Sequence, residues 1–240
     1  MIRELNLENI LFIDIETVPQ YASYNEMSEP LKSLWVKKSE YLHRKEEETP
    51  ESLYSRAGIY AEFGKVVCIS VGSIKQSDRV KHLRIKSFYG EDEAEVLQQF
   101  NEMLFKFYNR PNYQLCAHNG KEFDFPYLSR RMLINRLRLP LLLNNAGKKP
   151  WEVNHLDTMD FWKFGDHKSF TSLELLAAVF GIPSPKEETD GSQVSRLYWE
   201  EKNMKQIVDY CHKDVATVVQ IMMNFLGEPM IDESNIQFFS

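Results

Sequence analysis

The sequence predicts an α/β fold in which a mixed five-stranded sheet is flanked by helices. Three observations predict it. Short apolar runs bounded by turn residues occur along the chain, as strands require. Between and after them lie longer segments whose apolar residues recur at helical spacing. The length, 240 residues, suits one sizeable core.

The elements follow in order. Residues 10–15 (ILFIDI) are apolar and rich in Ile, bounded by Thr17 and Pro19, and read as a buried strand. From 18 to 63 the chain turns polar, with a charged run at 44–48 and Pro50. Scattered Leu31, Leu34, Trp35, Leu53 and Tyr54 make this a partly helical insertion packed over the strand's exit. Residues 65–74 and 82–89 are a second and third strand, and Gln76, Ser77 and Asp78 between them supply turn chemistry for an antiparallel pair. Residues 91–108 form an amphipathic helix, with Val96, Leu97, Phe100, Leu104 and Phe107 on one face and acids near its start. A short strand over 113–117 leads to a helix over 126–137 with Pro126 in its first turn. Beyond a loop at 144–150, residues 155–158 are a brief strand. A helix over 172–180, with Leu173 and Leu176 in the core, stops at Gly181 and Pro183. A short helix within 191–200 and a long one over 204–225 complete the pattern. No repeat or low-complexity linker divides it, so residues 1–240 read as a single domain.

At 43% hydrophobic and 27% charged residues the chain is globular and not disordered. No apolar run reaches the roughly 18–20 residues of a membrane span, and acidic residues interrupt the N-terminus where a signal peptide would be apolar. A cytoplasmic location is expected. Cys68, Cys116 and Cys211 are odd in number and far apart, which argues against a disulfide framework. Cys116 with His118, or Cys211 with His212, gives a local pair but not a four-ligand zinc spacing. The formal charge of −6 opposes a nucleic-acid partner, but residues 129–149 carry Arg130, Arg131, Arg136, Arg138, Lys148 and Lys149 without an acid. That segment fits either a phosphate-tracking surface or a solvated helix face followed by a loop.

Three elements carry chemistry. Asp14 and Glu16 are two apart on a strand and so project to one face. Paired carboxylates at the end of a buried strand are costly unless cations neutralise them. Hard oxygen donors at that spacing suit Mg2+ or Mn2+. A solvated acidic edge is the alternative. Asp124, in HNGKEFDFPYL, lies at a strand-to-helix junction where α/β sheets place function; taken alone, a helix N-cap explains it better. Tyr210 and Asp214, at i and i+4 in IVDYCHKDVATVV, share a helix face beside the apolar stripe of Ile207, Cys211 and Val218.

Together, D-x-E early, F-D-x-P-Y-L in the middle and Y-C-x-x-D late resemble the three exonuclease motifs of the DEDD superfamily. The closest resemblance is to the proofreading exonuclease domain of family B DNA polymerases, in a stand-alone form. It covers residues 8–226 and is closest at Asn119, Phe123, Asp124, Pro126 and Tyr127 and at Tyr210, Cys211 and Asp214. Tyr210 stands four residues before Asp214, as in the tyrosine branch (DEDDy), whereas the histidine branch places His where Asp209 stands. The resemblance implies a ribonuclease H-like fold and 3′–5′ hydrolysis of a nucleic acid, with single-stranded DNA ends favoured and RNA as the alternative. It also implies two divalent cations, Mg2+ or Mn2+, about 3.5–4 Å apart, clamping the attacking and leaving oxygens. Asp14 would bridge both, Glu16 and Asp214 would complete the site of one, and Asp124 would hold the other. A phenol with pKa near 10 is a poor base at neutral pH, so Tyr210 would orient the attacking water. Asn119 and Phe123 are candidates for the terminal nucleotide, Phe123 by stacking, with core packing as its alternative role. A non-catalytic nucleic-acid-binding module on the same fold is the rival of a different class. About 14 residues follow the last helix, too few for a polymerase.

Overall fold

The computed structural model describes residues 5–42, 47–166, 168–183 and 193–239. Its sheet is built outward from β1 (Ile10–Pro19), whose apolar residues Ile10 to Ile13 and Ile15 are all buried. β1 pairs antiparallel with β2 (Gly64–Ser77) and parallel with β4 (Gln114–Ala117). β2 turns into β3 (Val80–Tyr89) through Asp78 and Arg79, both at positive φ, which is the tight hairpin whose twist matches that of its strands. β5 (Leu156–Asp157) lies parallel to β4, and β6 (Ile236–Phe239) lies parallel to β3. The order is β5-β4-β1-β2-β3-β6.

Among the described residues the sheet therefore has six strands and not the five expected. β6 comes from residues after the last helix. Four residues are too few to display a period of two, and they become a strand because β3 offers an open edge.

Side-chain alternation along β1 divides the two faces. Leu11, Ile13 and Ile15 join a core with α2 (Glu93–Phe107) and α3 (Asp124–Ile134), through Leu97, Phe100, Leu104 and Leu128. Ile10 and Phe12 join the opposite core with α7 (Met204–Leu226), through Val215, Val218, Val219 and Met222. Asp92 caps α2 by accepting from the Ala94 and Glu95 amides, and Gly227 ends α7 at φ 69°. The described residues also form the short helices α4 (Thr158–Lys163), α5 (Leu173–Val179) and α6 (Val194–Trp199). Leu197 and Tyr198 of α6 pack on Val18 at the end of β1. No described helix is long and apolar enough to cross a membrane.

The 18–63 insertion begins later than its composition suggests, because β1 runs on to Pro19. It contains α1 (Glu29–Glu40) and a small aromatic core of Trp35, Tyr54 and Phe63 with Met27 and Leu53. Trp35 Nε1 donates to the Pro50 carbonyl at 2.7 Å. Part of the 44–48 run and the start of the 191–200 helix lie outside the described residues.

Gly64 marks where insertion, sheet and α3 meet. Tyr127 Oη donates to the Gly58 carbonyl at 2.8 Å, directly over Gly64. A Cβ there would collide with the Tyr127 hydroxyl and stand 2.7 Å from the Gly58 oxygen. Gly64→Ala should destabilise the fold by about 1–3 kcal/mol, as overpacking does. A denaturation midpoint equal to the parent's would show that this junction yields freely.

Of the basic residues in 129–149, Arg131 is withdrawn from any phosphate-tracking role. It is buried against Glu93 of α2, while Arg130, Arg136, Arg138, Lys148 and Lys149 are exposed.

Candidate active site

The parity that buries Ile10 and Phe12 under α7 also turns Asp14 and Glu16 to that side. The ladder with β2 shifts register between Glu16 and Thr17, an irregularity of the kind that re-aims side chains beside functional sites. On α7, Cys211 donates its thiol hydrogen to Asp14 Oδ2 at 3.2 Å and approaches the Asp14 carbonyl at 3.4 Å. One carboxylate oxygen each from Asp14 and Glu16 and the Cys211 sulfur lie within 4.8 Å of one another. Tyr210 and Asp214 bracket Cys211 on the same helix, and the Tyr210 hydroxyl is hydrogen-bonded to the Asp214 carboxylate.

Asp124 enters from the other core. Helix α3 starts at Asp124 and not at Pro126, with Phe123 in the cap position, so Asp124 is not the N-cap. Its carboxylate is buried and accepts hydrogen bonds from backbone amides, including that of Ile15 in β1. That bond ties the first turn of α3 to the strand between Asp14 and Glu16.

The electrostatics of the cluster follow from burial and like charge. Burial, then the charges of Asp214 and Asp124, raises the Asp14 carboxyl well above its ordinary range. Glu16 is raised likewise, by burial first and then by Asp14 and Asp214. Asp124 is pushed up to about 7, mainly by burial, with Asp157 and Asp214 adding to it. Asp214 is pushed up to about 6 by burial, against the lowering hydrogen bond from Tyr210. The largest influences on these four carboxyls, among the described residues, are burial and other acids rather than Lys or Arg. Glu16 is only 6% exposed, and the groups that act on its carboxyl are acids and the Cys68 thiol. A cation would satisfy an acid so placed.

The two nucleotide candidates fare differently. Asn119 adopts φ 63° in the loop between β4 and α3, and its Oδ1 is buried with no partner among the described residues. Phe123 is partly buried and packs on Tyr127, ring centroids 5.3 Å apart, so the packing role is the one its contacts display.

Two residues of the site are missed by sequence reasoning. Asp157 is almost fully buried at the end of β5, where it caps α4 through the Met159 and Asp160 amides. It also accepts from the Asn119 and Lys121 amides at 2.9 and 3.1 Å, fixing the loop before Asp124. Asp before Thr at a strand-to-helix junction is its one local signal. His118 stands between the Thr158 hydroxyl (2.9 Å) and the Thr171 carbonyl (2.8 Å). Since a carbonyl only accepts, this geometry assigns the proton to Nε2, and burial lowers the ring's pKa and favours the neutral form.

Residues 59–229, more than two thirds of the chain, match the model of a protein family. Its description is predicted 3′–5′ exonuclease related to the exonuclease domain of PolB. Asp124, Tyr210 and Asp214 lie inside the match. Asp14 and Glu16 precede it, and the sheet brings them to the others.

Proposed function

The chain belongs to this family of predicted 3′–5′ exonucleases related to the exonuclease domain of PolB, and from that premise we propose that it shortens single-stranded DNA from the 3′ end. One observation carries the reading to particular residues: Asp14 and Glu16 of β1 meet at Cys211 of α7, the charges of Asp214 and Asp124 reach both, and the Ile15 amide ties Asp124 to the same strand. The carboxylate donors are hard oxygens, which fit Mg2+ or Mn2+. Two such ions, held by Asp14, Glu16, Asp124 and Asp214, would supply Lewis acidity to the scissile phosphate and to the attacking water.

The chain's own groups then have distinct tasks. Cys211 and the Ile15 amide hold Asp14 and Asp124 in place. Tyr210 belongs to the tyrosine-branch arrangement in this reading. Burial and the nearby acids raise its phenol far above the usual value, so it keeps its proton and orients water from its hydrogen bond to Asp214. The Asn119 amide oxygen is buried and open to a donor on the terminal nucleotide. Residues 1–240 act as one exonuclease-like domain in which the 18–63 insertion braces the far end of β1.

The test is a 5′-labelled single-stranded DNA incubated with Mg2+ or Mn2+, with RNA and duplex DNA alongside. A ladder shortened from the 3′ end, absent in chelator, is expected. A ladder on RNA alone would reassign the substrate, and no ladder on any strand would leave a binding module. Tyr210→Phe should slow turnover by about ten- to a hundredfold, the scale of a misplaced reactant, with the Mg2+ midpoint unchanged. Equal turnover would remove Tyr210 from the chemistry.

Proton linkage gives a further expectation. Asp124 and Asp214 have folded-state pKa values of about 7 and about 6, against about 4 for an unfolded Asp. Between those limits the folded chain retains protons that the unfolded chain has released, so its stability falls as pH rises. Buried His155, pushed down to about 4, has the opposite slope over part of the same window, so the acids are isolated by comparing chelator with saturating Mg2+, which binds their ionised form. The stabilisation by Mg2+ should grow from about pH 4 to pH 7, and a constant Mg2+ increment in melting temperature across that window would contradict the acid cluster.

A further inference from the structure

We propose that the pocket between α7 and the β3–β6 edge is a second nucleotide site, separate from the acid cluster, with a base against Phe238 and a phosphate at Lys205 and Lys213. The pocket has a volume of about 660 Å³, and its lining includes Tyr89, Lys205, Asp209, His212, Lys213 and Phe238. That volume lies within the range of small-molecule sites.

Its position follows from the helix and strand periods. Tyr210 and Asp214 share one side of α7, and the helical repeat turns Lys205, Asp209 and His212 to the opposite side. Ile85 packs under α7, so by alternation Tyr89 faces the same way. Glu16, Cys68 and Tyr89 are cross-strand neighbours on β1, β2 and β3. Tyr89 therefore stands level with Glu16, about 10 Å away at two strand spacings. Helix α7 is the wall between the two recesses.

His212 is the residue that points to a ligand. It is more than nine-tenths buried, and its Nε2 has no hydrogen-bond partner among the described residues. A buried ring nitrogen left alone is costly, and a polar ligand in the pocket can answer it. Phe238 packs on the imidazole, ring centroids 5.1 Å apart, yet is itself 54% exposed.

A nucleotide combines the chemistry that this lining accepts. A base offers a flat face to Phe238 and Tyr89. Its edge carries donors and acceptors, so either tautomer of His212 can be met. Asp209, which accepts from Lys205 at 3.1 Å, has lone pairs left for base N–H groups. Lys205 and Lys213 each carry three N–H donors, enough to keep their present contacts and meet a phosphate as well. An aliphatic ligand would leave His212 unanswered, and a bare anion would leave the rings uncovered. A nucleotide within a bound strand and a free nucleoside monophosphate share this chemistry. The binding rests on the pocket alone; only its use on a strand under degradation rests on the function proposed above.

The experiment titrates the full chain, in chelator, with dAMP and with a phosphorothioate oligodeoxyadenylate, followed by calorimetry. Without cations the four carboxyls repel a phosphate, so what binds is held elsewhere. Saturable binding of dAMP is expected. Deoxyadenosine and deoxyribose phosphate, each lacking one half of the ligand, should bind at least about fivefold more weakly, the scale of one lost stack or charged contact. Phe238→Ala and Lys205→Ala alter exposed side chains and should weaken dAMP by a similar factor, whereas Lys148→Ala should not. An azido-dAMP photoprobe should label α7 or β6. Tighter binding of the oligonucleotide, per site, assigns the pocket to a strand, and equal or weaker binding assigns it to the free nucleotide. No saturable binding of either ligand, an affinity unchanged in Phe238→Ala, or a label confined to α3 overturns the proposal. An intact DNA ladder without binding in chelator sinks the nucleotide site, and binding without any ladder sinks the exonuclease.

Discussion

Asp14→Asn is expected to lower 3′–5′ hydrolysis by about three orders of magnitude or more, the scale on which single members of a catalytic unit act. Asp14 is the carboxylate on which the cluster converges. It feels Asp214 and Asp124, raises Glu16 in turn, and receives the Cys211 thiol. The same substitution should raise the melting temperature in chelator at neutral pH. It replaces a half-buried, repelled carboxylate by a neutral amide of nearly the same shape, and so removes like charge that the Cys211 thiol alone offsets only weakly. Loss of activity with a gain in metal-free stability is a combination that a merely structural residue would not give. Turnover within about tenfold of the parent would take Asp14 out of the mechanism. A lower chelated melting temperature would instead mean that the carboxylate is satisfied within the protein.

Arg131→Ala should have the largest effect on stability, a loss of about 3–5 kcal/mol. Arg131 Nε donates to Glu93 Oε1 at 2.8 Å, Nη2 reaches the other oxygen, and Nη1 donates to the Ala61 carbonyl at 2.8 Å. Glu93 also accepts from the Val66 amide at 2.7 Å and from Asn135 Nδ2 at 2.9 Å. The pair thus joins α2, α3, the start of β2 and the end of the insertion, with both side chains under one-tenth exposed. Truncating the Arg leaves an uncompensated buried carboxylate, which is the costly half of breaking such a pair. Glu93→Gln combined with Arg131→Met should restore much of the loss, because the amide oxygen still accepts from Val66 and no charge is left alone. Denaturant titration of the two variants separates these contributions; a cost below about 1 kcal/mol for Arg131→Ala would place the pair in solvent, contrary to its burial.

What the sequence by itself determined was local. Two acids on alternate residues of a strand must share a face, and a Tyr and an Asp four apart on a helix must share another. Those rules put Asp14 with Glu16, and Tyr210 with Asp214, before any tertiary contact was considered. The same periodicities located the first five strands and the long helices, α2 and α7 most clearly, because each carries several turns of apolar pattern.

Only the tertiary structure decided what crosses between elements. Cys211 looked like one more residue of an apolar stripe, and its contact with Asp14 spans 197 positions that no spacing rule connects. Arg131 counted as surface charge because local sequence does not reveal Glu93 on another helix. Asp124 looked like an N-cap until the helix proved to start on it. β6 has too few residues for any period and depends on a free edge of β3. The physical reason is common to all four. Periodicity reports which way a side chain points from its own backbone, while burial, partner and charge state are set by atoms that the fold supplies from elsewhere.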